Sequence, residues 1–189
     1  MADFQEAYPR LLDLEGREWS NTPHDNGRET YCGISRVYWP EYPIWEVVDK
    51  AKDGQGLSAE KVSARLLDDT EAGRIVARFY CDWWYRMKLN EVHSQRTAFF
   101  IFQAAVNAGD ETAVRWAQLA AAANGCNPGI DGVIGQRTIY AINSMDAMPY
   151  LRDMAVFQRY FYLMRIIEDP IQGINKKGWE KRVRESLAA

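Results

Sequence analysis

Histidine and cysteine are scarce in this chain, which has two histidines and three cysteines among its 189 residues. The cysteines, at positions 32, 81 and 126, are far apart and match no zinc-binding or redox spacing. His24 and His93 are also too distant in sequence to indicate a metal site. We therefore expect free, buried thiols, no bound metal and no cofactor.

An excess of positive charge and long apolar runs are also missing. The net charge is −3 and the pI is about 5.5, which gives no support for nucleic-acid binding. The longest apolar stretches are too short to span a membrane, so we expect no membrane insertion. The opening segment MADFQEAYPR lacks the apolar run of a signal peptide. We therefore expect a protein made in the cytoplasm without an export signal of its own.

Most of the chain shows helical periodicity. Apolar spacing, Ser or Asp caps and Gly stops predict helices over residues 58–67, 70–87, 94–109, 110–125, 136–143, 146–168 and 175–187. The alanine-rich helix 110–125 should be buried in the middle of the fold. YWPEYPIW and KDGQGL are loop-like, and TYCGIS predicts a small β hairpin. The fold predicted is mainly α with a small β hairpin, in a single domain.

An acid interrupts the apolar face of the first predicted helix. That face contains Tyr8, Leu11, Leu12, Glu15 and Trp19 at helical spacing. Gly16 is a natural C-cap, so the helix should end within a residue or two of Glu15. A surface glutamate at a frayed helix end is the plain alternative. However, apolar surroundings, the negative end of the helix dipole and repulsion from Asp25 and Glu29 would all favour a protonated carboxyl, which a general acid requires near neutral pH.

Two further residues complete a candidate catalytic set. Asp25 lies ten residues after Glu15 in a polar turn, where hydration and backbone donors should keep it ionised. Thr30, five residues further on, has a hydroxyl that could hold a water between the two carboxyls. A glycosidase needs a protonated acid and a second carboxylate of this kind. We therefore predict that Glu15, Asp25 and Thr30 are catalytic.

Six segments resemble one protein family in the same order along the chain. They are EGREW, DNGRETYCGIS, EAGRIVARFYCDWWYRMKL, FQAAVNAGDETAVRWAQ, GIDGVIGQRTIYAIN and GWEKRV. The first two resemble the N-terminal signature of glycoside hydrolase family 108, the phage-type N-acetylmuramidases, and the fifth resembles a peptidoglycan-binding-type pattern. The resemblance implies a lysozyme-like α+β single domain over residues 1–189. In it, a catalytic signature region (1–90) and a helical peptidoglycan-binding-type region (91–189) pack into the same fold.

The chain departs from the family pattern at four positions. Arg17 and Arg28 each replace the second glycine of a glycine pair, and Glu18 stands where the family has tyrosine. Gln103 stands where relatives often have an acid. The two arginines could tether the loop, bind the carboxylates of peptide stems or form structural ion pairs.

Four residues are predicted to contact substrate: Arg28, Tyr31, Trp84 and Asn107. Tyr31 belongs to the signature, and Trp84 could stack on a sugar, although at least one tryptophan of the WW pair is expected in the core. Asn107 could contact sugar, cap its helix or form hydrogen bonds within the core. DGVIGQRT lacks the spacing of a calcium loop or a phosphate loop, so we expect it only to cap a helix.

The residues and the resemblance together predict a muramidase that hydrolyses the β-1,4 bond between N-acetylmuramic acid and N-acetylglucosamine. Glu15 would protonate the leaving oxygen, and Asp25 with Thr30 would activate water. Inversion requires the two carboxyls to be about 6.5–9.5 Å apart. A lytic transglycosylase with a single catalytic Glu is one alternative. A non-enzymatic peptidoglycan-binding module is another, favoured by DGVIGQRT and by the basic tail after Ile171.

The resemblance also implies a partner and a place of action. The expected partner is bacterial peptidoglycan, and we expect a monomer. As a phage endolysin, the protein would accumulate in the host cytoplasm and then act on the cell wall from the periplasm. A chromosomal muramidase linked to secretion is the alternative, and the residues do not separate the two.

Overall fold

The computed structural model describes residues 1–21, 28–53 and 56–188. Over these residues the protein is mainly helical with a small antiparallel sheet, so the predicted fold class is confirmed. The chain forms two compact units. We call Gln5–Trp83 the sheet unit, and Met1–Phe4 together with Trp84–Ala189 the helical unit. That residues 1–90 and 91–189 are two regions of one domain stays a prediction.

The sheet unit contains the small sheet and the helices of the first half of the chain. Its helices are α1 (Phe4–Glu15), α2 (Ile44–Ala51), α3 (Ala59–Leu67) and α4 (Thr70–Arg86), of which α1 and α4 each extend into the other unit. Its strands are β1 (Trp19–Asn21), β2 (Glu29–Tyr31) and β3 (Ile34–Ser35). Helix α3 packs against both β1 and α2, which gives the sheet a buried face.

The helical unit is built around α6. Its helices are α5 (Gln95–Ala108), α6 (Asp110–Ala123), α7 (Gln136–Asn143), α8 (Ala147–Glu168) and α9 (Lys176–Ala188), with short 3₁₀ helices at Leu89–Glu91 and Pro170–Asn175. Helix α6 packs against α5, α7 and α8, and its alanines allow the close approach of these neighbours. The predicted burial of this helix is confirmed. None of the described helices combines the length and apolar character that a membrane span needs.

Local signals place several helix ends correctly. The Ser58 hydroxyl accepts a hydrogen bond from the Lys61 amide at 3.4 Å, and Ser94 caps α5 in the same way. Gly109, at a φ of +90°, ends α5 as predicted. The loop prediction for YWPEYPIW is wrong at its end, because Ile44 begins α2. This helix has only eight residues, too few for its apolar spacing to stand out from the aromatic and proline-rich stretch before it.

The strands form an antiparallel sheet in the order β1-β2-β3. Tyr31 pairs with Ile34, so only Cys32 and Gly33 connect β2 to β3. Both residues have positive φ angles, +47° for Cys32 and +79° for Gly33. This is the conformation of a two-residue type I′ hairpin turn, whose twist matches the twist of the strands. The predicted hairpin is confirmed, with β1 as an additional strand.

The three cysteines are free thiols, as predicted. Cys32 is buried, whereas Cys81 and Cys126 are partly exposed, so the predicted burial is correct for Cys32 alone. Burial raises the pKa of the Cys32 thiol to about 11, which keeps it protonated at neutral pH.

Gln118 on α6 holds the loop DGVIGQRT, which the sequence predicted only to cap a helix. Its side chain is buried, and its amide nitrogen, which carries two hydrogens, has three acceptors within hydrogen-bond distance: Asp131 Oδ1 at 2.7 Å, the Val133 carbonyl at 3.1 Å and Thr138 Oγ1 at 3.1 Å. Its carbonyl oxygen accepts from the Gly132 amide at 2.9 Å. One buried side chain therefore holds residues 131–133 of the loop next to the first turn of α7.

Replacing Gln118 with Ala should destabilise the protein by about 2–4 kcal/mol, because the change leaves a cavity and deprives buried polar groups of their partner. Thermal unfolding followed by circular dichroism measures the effect. The control is Gln136→Ala, which removes an exposed glutamine that donates to Glu91. Equal stability of the two variants would contradict the role assigned to Gln118.

Candidate active site

Glu15 is the last residue of α1, and its side chain is half-buried. Gly16 follows at a φ of +81°, and its amide donates to the Leu12 carbonyl at 2.9 Å. The predicted helix end is therefore confirmed. At this position the carboxyl lies at the C-terminal end of the helix.

The turn between β2 and β3 touches the Glu15 side chain. A Cβ atom added to Gly33 would lie 2.9 Å from Glu15 Oε2 and 3.0 Å from Glu15 Cβ. It would also lie 2.6 Å from the hydroxyl of Tyr80, a residue of α4 that is fully buried. That hydroxyl donates to the Cys32 carbonyl at 2.6 Å. The turn is thus in contact with α1 through Glu15 and with α4 through Tyr80.

Thr30 lies on the same hairpin, one residue pair further from the turn than Tyr31. It pairs with Ser20 of β1 on one side and with Ser35 of β3 on the other. Because residues that pair directly project to the same face of a sheet, the three hydroxyl-bearing side chains form a row. Thr30 is half-buried in this row and Ser20 is exposed, so hydroxyl groups continue from the interior to the surface.

The structure therefore places two of the three predicted catalytic residues, Glu15 and Thr30, around one hairpin. Asp25 falls in residues 22–27, outside the described residues. The expected separation between the Glu15 and Asp25 carboxyls stays a prediction.

Glu29 begins β2 and is the centre of a charged cluster that sequence reasoning missed. Its carboxylate contacts Arg36 at 2.7 Å and Lys52 at 2.7 Å, and it accepts a hydrogen bond from the Trp19 indole at 3.0 Å. Asp49 of α2 contacts the same two cations, with Lys52 at 2.7 Å. The guanidinium of Arg36 also lies over the Trp45 ring, 5.1 Å from its centroid.

The cluster keeps Glu29 ionised although its side chain is only 11% exposed. Burial by itself would raise the pKa of Glu29, but the hydrogen bonds from its two cations and the indole hold it below its ordinary value. The pKa of Asp49 is lowered mainly by its hydrogen bonds to Arg36. The two cations, Arg36 and Lys52, thus compensate the charge of Glu29 within the cluster.

The two arginines that replace family glycines have different surroundings. Arg17 forms an exposed ion pair with Asp13 at 3.0 Å, one of the roles considered for it. Arg28 is exposed immediately before β2 and has a φ of +48°. A left-handed conformation is unusual for a residue with a side chain, and it agrees with the glycine that the family pattern has there.

Tyr31 and Trp84, both predicted to contact substrate, lie in the core. Tyr31 is 2% exposed, and its hydroxyl donates to the Leu66 carbonyl at 3.2 Å. Trp84 is 0% exposed and packs edge-on against Phe4 and Phe102 in the helical unit. A buried ring presents no face to a saccharide, so in this structure both side chains stabilise the packing.

Asn107, the fourth predicted substrate contact, belongs to a hydrogen-bond network in the helical unit. Its side-chain oxygen accepts from the Tyr162 hydroxyl at 2.7 Å, and Gln158 donates to that hydroxyl at 2.7 Å. Gln158 and Gln103 exchange amide hydrogen bonds of 3.2 and 3.3 Å. The glutamine at position 103 both donates and accepts here, which an ionised acid could not do. Among the alternatives considered for Asn107, the structure describes a hydrogen bond within the fold.

Exposed aromatic rings in the sheet unit were also missed by sequence reasoning. Tyr38 is 68% exposed and Trp39 is 39% exposed, in the segment that follows β3. The Trp39 ring packs edge-on against Phe79, with 5.2 Å between centroids, so it is held in place while part of its surface faces solvent. Rings in this state are suited to stacking on sugars. The sequence signal that could have indicated their exposure is their position in a segment predicted to be a loop.

A pocket of about 430 Å³ lies in the helical unit and is lined by the end of α4, the start of α6 and the loop organised by Gln118. Of the predicted catalytic residues that the structure describes, neither Glu15 nor Thr30 lines it. Within the described part of the chain, no group of three or more His, Cys, Asp or Glu side chains could hold a metal ion.

Comparison with known families decides the classification. The family model of glycosyl hydrolase 108 matches residues 8–109, which is more than half of the chain. The chain belongs to glycosyl hydrolase family 108. The match spans the whole Glu15 site, from α1 through the hairpin to the end of α5.

A second family model, described as a predicted peptidoglycan domain, matches residues 112–184 of this family-108 chain. Together the two matches identify a glycoside hydrolase that acts on peptidoglycan. A solved structure from Brucella abortus, SagA, is similar over 98% of this chain and 91% of its own, with a TM-score of 0.64 and 20% sequence identity. At that identity the likeness shows the fold alone. A search among curated proteins finds no match.

Glu29→Gln should destabilise the family-108 chain by about 2 kcal/mol at pH 7. This value lies between the cost of breaking an exposed salt bridge and the cost of breaking a buried one. A carboxylate whose pKa is lower in the folded state stabilises the protein above its unfolded pKa and loses this effect as pH falls through the folded value. As the pH is lowered from about 5 to about 2, the free energy of unfolding of the variant should therefore fall by less than that of wild type. Urea unfolding at several pH values measures this.

The matched control is Glu46→Gln, which removes an exposed acid from α2. It should leave both the stability at pH 7 and its pH dependence close to those of wild type. If Glu29→Gln behaved like this control, the charged cluster would not hold β2 in place.

Proposed function

We propose that this protein is an N-acetylmuramidase that hydrolyses the β-1,4 bond between N-acetylmuramic acid and N-acetylglucosamine. Glu15 is the general acid that protonates the leaving oxygen. Asp25, with the hydroxyl of Thr30, activates water on the opposite face of the sugar. The observation that carries the proposal is the contact of the Glu15 carboxyl with the turn of the hairpin that bears Thr30.

The surroundings of Glu15 suit a carboxyl that must donate a proton from a fixed position. Its side chain is half-buried, and the backbone of Gly33 lies against it. It is also the last residue of α1, so the helix fixes the position of its backbone. A family of glycoside hydrolases needs one such acid, and in the proposal Glu15 fills that role.

The row of hydroxyls supports the second half of the proposed reaction. Thr30 lies between Ser20 and Ser35, and a water held by such groups would lie close to the hairpin that touches Glu15. Arg28, exposed at the start of β2, is proposed to contact carboxylates of the peptide stem. Asp25 completes the set as the base.

We further propose a role in the lysis of a bacterial host by a phage. In this role the enzyme accumulates in the host cytoplasm and reaches the cell wall once the membrane is opened. The support is the resemblance of EGREW and DNGRETYCGIS to the signature of phage-type muramidases.

Glu15→Gln should lower the rate of peptidoglycan hydrolysis by about 10²- to 10⁴-fold, because the protons of an amide are too weakly acidic to be transferred to the leaving oxygen. Release of reducing ends from purified cell walls measures the rate. The control is Glu6→Gln, an exposed acid of the same helix, which should keep full activity. Wild-type activity in a folded Glu15→Gln variant would eliminate Glu15 as the acid.

The products test the proposed course of the reaction. Inversion at a β-linked sugar releases N-acetylmuramic acid as the α-anomer, which proton NMR detects at early times, before mutarotation. A β-anomer would show retention and contradict the assignment of Asp25 as a base. Anhydro-muramyl ends, detected by mass spectrometry, would show a lytic transglycosylase and contradict hydrolysis.

A further inference from the structure

The turn formed by Cys32 and Gly33 has two contacts that hold it at Glu15. On one side, the backbone of Gly33 lies so close to the Glu15 side chain that an added Cβ would come within 2.9 Å of Oε2. On the other side, the Tyr80 hydroxyl donates to the Cys32 carbonyl at 2.6 Å. The same hydroxyl is 2.6 Å from the position of that added Cβ. Glu15 Oε2 and the Tyr80 hydroxyl are therefore neighbours on one face of Gly33.

Tyr80 itself has little freedom to move. Its side chain is fully buried on α4, and its ring packs edge-on against Phe79 with 5.2 Å between centroids. The Tyr8 ring of α1 lies 6.2 Å from it. A rigid phenol that is anchored on one helix thus sets the position of the turn, and the turn limits where the carboxyl at the end of another helix can lie.

We propose that Tyr80 is a positioning residue for the general acid: its hydroxyl holds the Cys32–Gly33 turn against Glu15 and so fixes the carboxyl for proton transfer. The inference rests on the proposed role of Glu15 and extends it to a residue more than sixty positions away in sequence. A displacement of about 1 Å at a reacting group is enough to lower a rate by up to about 10²-fold, so small movements of the turn matter.

Tyr80→Phe tests the hydroxyl alone. We expect kcat on soluble, peptide-free glycan strands to fall by about tenfold or more while KM changes by less than about threefold, because the change affects proton transfer more than binding. The alkaline limb of the pH–rate profile should also move, since the hydroxyl is part of the polar surroundings of the carboxyl.

The matched control is Tyr42→Phe. The hydroxyl of Tyr42 also donates to a backbone carbonyl, that of Ile75 at 3.3 Å, and its ring also packs edge-on against Phe79, at 5.0 Å. Its loss should also lower stability, by no more than in Tyr80→Phe because this bond is only partly buried, but leave kcat and the pH profile as in wild type. Equal kinetic effects of the two changes would overturn the inference.

Gly33→Ala tests the contact from the side of the turn. Gly56→Ala is its control, because Gly56 has nearly the same positive φ, +76° against +79°, but no atom of the described residues lies within 4 Å of an added Cβ. Both variants place a side chain on a residue with positive φ, and Gly33→Ala also pushes on Glu15. We expect a loss of kcat in Gly33→Ala alone. Loss of the same size in both variants, or in neither, would overturn the inference.

An independent readout separates this inference from the proposed function. In protein labelled with ¹³C at the glutamate carboxyls, the Glu15 signal, assigned with Glu15→Gln, should shift in Tyr80→Phe and stay unchanged in Tyr42→Phe. If Glu15→Gln is inactive but Tyr80→Phe leaves the signal and kcat unchanged, the positioning role fails alone. If Glu15→Gln remains active, the proposed function fails, and the shifted signal still reports whether Tyr80 fixes the carboxyl.

Discussion

The contact between a two-residue turn and a glutamate at the end of a helix is the constraint on which the site depends. Gly33 brings the backbone of the hairpin against Glu15, and a side chain at this position would separate them. The same turn receives the Tyr80 hydroxyl at the Cys32 carbonyl. Helix α1, the sheet and α4 are therefore linked at one point, and the carboxyl lies at that point.

Much of the fold could be predicted from local signals. Serine caps and glycine stops depend on a few neighbouring residues, so the ends of α1, α3 and α5 could be read directly from the sequence. The hairpin was indicated by a short β-type run after turn formers. Helix α2 was missed because it is short and its apolar residues also suit a buried loop. Its stability comes from packing against α3, which no local pattern reveals.

The site was only partly accessible from sequence. Spacing brought out Glu15 and Thr30, which the structure places around one hairpin. The cluster around Glu29 joins β2 to residues after β3 and in or beside α2, and pairing of this kind depends on tertiary structure. Likewise, an aromatic residue in a family signature can pack in the core or contact substrate. Burial in the folded protein distinguishes these two roles, as the fully buried Trp84 illustrates.

The limits of the peptidoglycan-domain match do not coincide with the limits of a folded piece. The match begins within α6 and ends within α9, and it leaves out α5, which packs on both. A fragment cut there would break two helices and expose the alanine face of α6 to water. The helical unit also includes the first four residues of the chain. Among them, Ala2 donates its backbone amide hydrogen to the Val92 carbonyl at 2.8 Å. If the helical unit were fused to another enzyme, the fusion protein would therefore need residues from both ends of this chain.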